Sequence, residues 1–138
     1  MNGLKQLIFI GLFVFTAGVV FALPSNDSVW ARVQQWRIDN GKKTYTRDYY
    51  LCYIANARVK EIQTDWSHNG FWIHVPEMFR HGYCGVGENL ARGFSSTESM
   101  LNAWLLSDTH RINLEWNYTH SCVVCSNNYC VQMFGIYR

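Results

Sequence analysis

Cys122-Val123-Val124-Cys125-Ser126-Asn127-Asn128-Tyr129-Cys130-Val131-Gln132-Met133-Phe134 is the stretch on which the fold class turns. Two short β-prone runs flank Ser126-Asn127-Asn128, and asparagine tolerates the left-handed backbone of a tight turn, so the segment reads as a β-hairpin turning at the two asparagines. That register sets Cys125 directly opposite Cys130, where cross-strand β-carbons lie roughly 4.5 to 5.5 Å apart, near disulfide reach. Cys122, three residues before Cys125, points to the other face of its strand and could bridge to Cys52 or Cys84. The five cysteines allow at most two bridges. A competing reading is zinc, because Cys122-x2-Cys125 with Cys130 and His120 nearby is ligand-like spacing.

Upstream of the hairpin the apolar period is helical. Val29, Val33 and Trp36 share one face and predict a first helix over Val29–Asp39, capped by Asp27 or Ser28 and stopped by Asn40-Gly41. Leu51, Ile54, Ala55, Arg58, Val59 and Ile62 recur at three and four residues, giving a second helix with Leu51, Ala55, Val59 and Ile62 as its buried stripe. Asp65 to Phe71 reads as a polar loop, and the stretch from there to Tyr83 shows no clean period. Gly85, Gly87 and Gly93 predict backbone conformations around Glu88 that a β-carbon would forbid. Ser95 and Glu98 match a capping box ahead of Met100, Leu101, Trp104 and Leu105, a third helix that stops near Ser107-Asp108. A short turn from Thr109 then carries His110, Ile112 and Leu114. Helices first and a hairpin last make this an α+β chain.

The 138 residues suffice for one domain and an appendage, and a net charge of +2 is too weak for binding nucleic acid through its phosphates. The appendage is N-terminal. Lys5 precedes an apolar run from Leu7 to Leu23 with small Ala22 near its end, so residues 1–22 read as a signal peptide or membrane anchor, 23–28 as a linker and 29–138 as the domain. Either reading predicts a secreted or extracytoplasmic domain where disulfides persist, with membrane contact through residues 7–23 if the segment is uncleaved. Asn26-Asp27-Ser28 and Asn117-Tyr118-Thr119 match the N-glycosylation pattern. Trp66, Phe71 and Trp72 are either lids on the core or a ligand surface.

Three polar groups stand in order along the chain: His68 in Ser67-His68-Asn69-Gly70, Glu88 in Gly87-Glu88-Asn89, and His110 in Ser107-Asp108-Thr109-His110-Arg111-Ile112-Asn113. With Trp104, the closing Val131-Gln132-Met133-Phe134-Gly135, the Leu51-x3-Ala55-x2-Arg58 pattern and the Trp36-Arg37-x-x-Asn40-Gly41 helix end, the sequence from Val29 to Tyr137 resembles the bacterial-type CAP (SCP) domain. That superfamily includes cysteine-rich secretory, antigen 5 and plant pathogenesis-related proteins. The resemblance implies an α-β-α sandwich with a C-terminal β-hairpin and an open cleft lined by two histidines and two acidic residues, able in some members to hold a divalent metal.

His68 and Glu88 match the first two cleft positions. The animal and plant branch takes its second acid from a Trp-x-x-Glu motif, where this chain has Ser107 after Trp104. The second histidine is His110 by the bacterial-type motif, with His120 as the alternative. Two imidazoles and a carboxylate suit zinc or another divalent metal, with water in a fourth position. The expectation is a non-catalytic module that binds a small ligand or a cell-envelope component. The alternatives are a metal-dependent hydrolase using His68, Glu88 and His110 around a bound water, or a structural surface module in which these three residues only hold the loops together.

Overall fold

The computed structural model describes residues 22–137, so residues 1–21, which hold most of the expected signal or anchor segment, and Arg138 lie outside the described part. The described residues form helices α1 (Asn26–Asp39), α2 (Tyr49–Glu61), α3 (Asn69–Arg80), α4 (Thr97–Leu106) and α5 (Asp108–Glu115). The strands are β1 (Thr46–Arg47), β2 (Tyr83–Arg92), β3 (His120–Ser126) and β4 (Tyr129–Tyr137).

The strands form one sheet in the order β1-β3-β4-β2. β4 is central, antiparallel to both β3 and β2, and β1 adds a short parallel pair to β3. Asn127 and Asn128 both have positive φ, 51° and 62°, as a two-residue primed hairpin turn requires. Cys125 pairs with Cys130 in the ladder, and the two are bonded. Cys122 crosses to the opposite face and is bonded to Cys52 on α2. This corrects the zinc alternative, because the thiols of Cys122, Cys125 and Cys130 are consumed by disulfides. Cys84 is free and exposed.

Alternation along the strands divides the core in two. Leu90, Val131, Met133 and Cys122 face α2 and α3, where they meet Leu51, Ile54, Ala55, Val59, Phe71, Val75 and Met78. Ala91, Cys130, Phe134 and Val123 face the other way, against Val29 and Val33 of α1, Met100, Leu101 and Trp104 of α4, and Leu114 of α5. The architecture is the α-β-α sandwich expected, closed by the C-terminal hairpin.

Several local expectations are displaced. α1 begins at Asn26, inside the expected linker, because Ser25 and Ser28 form a reciprocal capping box and leave Asp27 and Ser28 within the helix. The third helix is capped by Ser96 with Ser99, while Glu98 turns away to pair with Arg32 on α1. α3 occupies part of the expected loop and most of the unassigned stretch. Phe71, Val75 and Met78 are its buried face, and Pro76 inside it removes a backbone donor, which obscures the helical signal. Gly85 and Gly87 lie in the extended strand β2, so their backbone is not of the kind expected; of these three glycines, Gly93 alone has positive φ. Gly87 answers to space, since a Cβ there would stand 2.5 Å from the Tyr118 hydroxyl and 3.1 Å from Asn113 Oδ1.

β2 is an edge strand, and an uncovered edge exposes backbone acceptors. Side chains cover this one. Tyr118 Oη donates to the carbonyl of Val86 (3.3 Å), Asn113 Nδ2 to that of Glu88 (3.1 Å), and Trp104 Nε1 to that of Leu90 (2.8 Å). α3 on one face and α5 on the other flank this edge, and the space between them is the cleft.

Candidate functional site

The cleft measures about 260 Å³ and is lined by His68, Phe71 and Trp72 from the α3 side, Val86, Gly87 and Glu88 from β2, and Thr109, His110 and Asn113 from α5. This is slightly below the roughly 300 to 1,000 Å³ typical of drug-sized ligand pockets, so the space suits a small group.

Glu88 faces the α2 side of β2 and is buried. Its carboxylate accepts from Arg58 twice, Nε to Oε2 at 2.7 Å and Nη2 to Oε1 at 3.1 Å. Arg58 lies on the buried face of α2, one turn from Ala55, and both side chains of the pair are only 1% exposed. A buried charge needs a partner, and a bidentate guanidinium is the best geometric match for a carboxylate. Arg58 also donates to Glu61 Oε2 (2.7 Å) and to the carbonyl of Ser67 (2.8 Å), fixing the turn that leads into α3. His74 Nε2 lies 2.9 Å from the other oxygen of Glu61. The chain His74–Glu61–Arg58–Glu88–His68 is thus continuous. Gly70 permits it, because a Cβ at that position would overlap Arg58 Nη1 and Glu61 Oε2.

His68 sits at the N-cap position of α3 without capping it; its Nδ1 lies 2.9 Å from Glu88 Oε1. A carboxylate with its charge paired to Arg58 can only accept, so the neutral imidazole carries its proton on Nδ1 and leaves Nε2 with a lone pair. His110 is arranged in parallel. Its Nδ1 lies 2.8 Å from the hydroxyl of Ser107, the residue that stands where the animal and plant branch has its second acid. Neither Nε2 has a hydrogen-bond partner among the described residues. Burial, and then the proximity of His68, push the His110 imidazole below the usual histidine range. It therefore stays neutral at physiological pH. Its contribution to stability is complete above its unfolded value of about 6.5 and is lost as pH falls from there through the lowered folded value.

The structure brings His68, Glu88 and His110 to one cleft, but no three His, Cys, Asp or Glu side chains among the described residues are grouped closely enough to hold a metal ion. Both oxygens of Glu88 are engaged by Arg58 and His68, which leaves the two imidazoles, with Glu88 behind one of them, as the side chains of this trio that keep an unpartnered atom among the described residues. His120 does not line the cleft. It stands at the start of β3, with Nδ1 2.8 Å from Thr119 Oγ1 and its ring edge-on to Tyr137 at 5.8 Å. Glu88 is thus engaged within the chain, while each of the two cleft histidines keeps one ring nitrogen without a partner among the described residues.

The parts that sequence reasoning did not assign are Arg58 as the partner of Glu88 and Ser107 as the support of His110. The first had a signal. An arginine at helical spacing from Leu51 and Ala55 is a cation in a core and calls for a buried carboxylate.

No family model matches the sequence, and no curated protein matches it. Solved structures do. A cysteine-rich secretory protein from Staphylococcus aureus superposes with a TM-score of 0.71 at 18% identity, over 80% of this chain and 37% of its own. An extracellular protein containing a SCP domain from Bacillus anthracis gives 0.70 at 20% identity, over 80% and 39%. An outer surface protein from Borrelia burgdorferi gives 0.67 at 17% identity, over 80% and 90%. The chain thus spans well under half the length of the first two. At these identities the likeness is one of fold, and the fold is that of the CAP (SCP) domain.

Proposed function

We propose that this CAP-fold chain is an exported or membrane-tethered, non-catalytic binding module whose cleft takes a small ligand, or an envelope component bearing one, between His68 and His110. The observation that carries this reading is the matched arrangement of the two imidazoles: each is held through Nδ1 by a residue of the chain, and each keeps Nε2 unused. Two disulfides fit an oxidising compartment. By their names, the solved structures of like fold are secretory, extracellular and outer-surface proteins.

The same pair can hold a divalent cation such as zinc weakly, with water completing the coordination and Glu88 orienting His68 without being a ligand. The hydrolase alternative asks a carboxylate to act as base or ligand, and Glu88 is committed to Arg58. Calorimetric titration of zinc into the chain near neutral pH tests the imidazole pair. His68→Ala and His110→Ala are each expected to weaken binding at least about tenfold, and His120→Ala to leave it unchanged. Absence of any binding heat in the unsubstituted chain rejects the cation site, and loss with His120→Ala alone rejects the assignment of the second histidine.

A further inference from the structure

On the far side of Tyr118 from the cleft lies a larger cavity of about 660 Å³, lined by Arg37, Lys42, Lys43, Thr44, Asn117 and Thr119 among others, with no acidic residue in its wall. Arg37 is 1% exposed, yet no carboxylate lies within ion-pair reach of it among the described residues. Its Nε donates to the carbonyl of Lys43 (2.6 Å), and its Nη1 to Tyr45 Oη (2.9 Å) and the carbonyls of Leu114 (2.6 Å) and Trp116 (3.1 Å). These are neutral acceptors. Tyr45 supplies no counter-charge either, since burial holds its hydroxyl protonated far above the usual range. Nη2 has no hydrogen-bond partner among the described residues, although every other nitrogen of the guanidinium does.

A permanently charged group that is buried, paired only with neutral acceptors and the face of the Tyr45 ring, and left with one unpartnered amino group has an open place for an oxyanion. Lys42 and Lys43 add two mobile ammonium groups at the same wall, and neither is engaged in an ion pair among the described residues. The carbonyls at the C-terminal end of α1 would repel an anion if bare, but those of Trp36, Arg37 and Ile38 are taken. Asn40 N–H reaches those of Trp36 and Arg37, Gly41 N–H that of Ile38, and Lys42 N–H that of Arg37. The geometry points to this cavity as a second binding site, separate from the histidine cleft, for a phosphate group, with Arg37 Nη2 as the fixed donor and Lys42 and Lys43 closing over it.

The test titrates inorganic phosphate into the full chain at constant ionic strength, following the Arg37 Nε–Hε signal and the backbone amides of Lys42 and Lys43 by NMR. A saturable shift is expected that chloride does not reproduce. The Lys42→Gln/Lys43→Gln variant, whose exchanges leave the core untouched, should weaken it about tenfold or more. His68→Ala should leave it as it is, which separates this site from the cleft. Co-sedimentation with phosphatidic acid vesicles but not with phosphatidylcholine vesicles assigns the phosphate to a lipid headgroup, whereas phosphate binding without co-sedimentation assigns it to a soluble phosphate. No saturable shift, a shift equally produced by chloride, or an affinity unchanged by the double lysine substitution overturns the site.

Discussion

Replacing Arg58 with methionine is expected to destabilise the domain by about 3–5 kcal/mol, because it leaves the Glu88 carboxylate buried without its counter-charge. Three other contacts go with it: the bond to Glu61, the bond to the Ser67 carbonyl and the packing of the guanidinium stem in the α2 face. In thermal denaturation this corresponds to a fall in midpoint of roughly 10–20 °C for a domain of this size. The pair itself is a different matter. Exchanging both residues, Arg58→Met with Glu88→Met, removes the charge along with its partner, and apolar replacements of buried pairs are often neutral. The double variant should recover most of the loss while releasing His68. An Arg58→Met change no worse than a surface substitution, within about 0.5 kcal/mol, would mean that Arg58 and Glu88 are not paired in the core.

The Cys52–Cys122 bridge should contribute more than the Cys125–Cys130 bridge, although both lie on β3. It ties α2 to the sheet across 70 residues of sequence, against 5 for the hairpin pair. Loop-closure entropy then gives about 4 kcal/mol for the first and about 2 for the second. The hairpin is also held by its own ladder and by the positive-φ asparagines, so its halves meet even without the bond. Urea unfolding of the Cys52→Ser/Cys122→Ser and Cys125→Ser/Cys130→Ser variants measures both. A larger loss from the hairpin pair would show that the denatured chain already holds α2 near β3.

What the sequence made legible follows from where local rules decide structure. The hairpin was readable because two asparagines and period-two alternation fix both turn and register, and register alone put Cys125 against Cys130. α1, α2 and α4 were readable from their apolar stripes. α3 was not, because Pro76 interrupts the pattern and because Trp72 and Ile73 face outward. β2 was hidden by its glycines, which suggest turns but here serve close approach: at Gly87 to Tyr118 and Asn113, on an edge that three side chains from later in the chain cover. At the site, motif order placed His68, Glu88 and His110 in one cleft. It did not show that Glu88 belongs to Arg58, since that pairing joins residues 30 apart through the sheet and is set by tertiary burial.

In the proposed binding mode Glu88 orients His68 while remaining with Arg58, so that the imidazoles meet the ligand through Nε2. Long-range proton–nitrogen NMR of the histidine rings at about pH 7.5, before and after addition of zinc, reads this directly. The expected spectrum has His68 protonated at Nδ1, with zinc moving Nε2 of His68 and His110 and leaving both His120 and the Arg58 Nε–Hε signal in place. Protonation of His68 at Nε2, or displacement of the Arg58 signal as Glu88 turns to the cation, would contradict it.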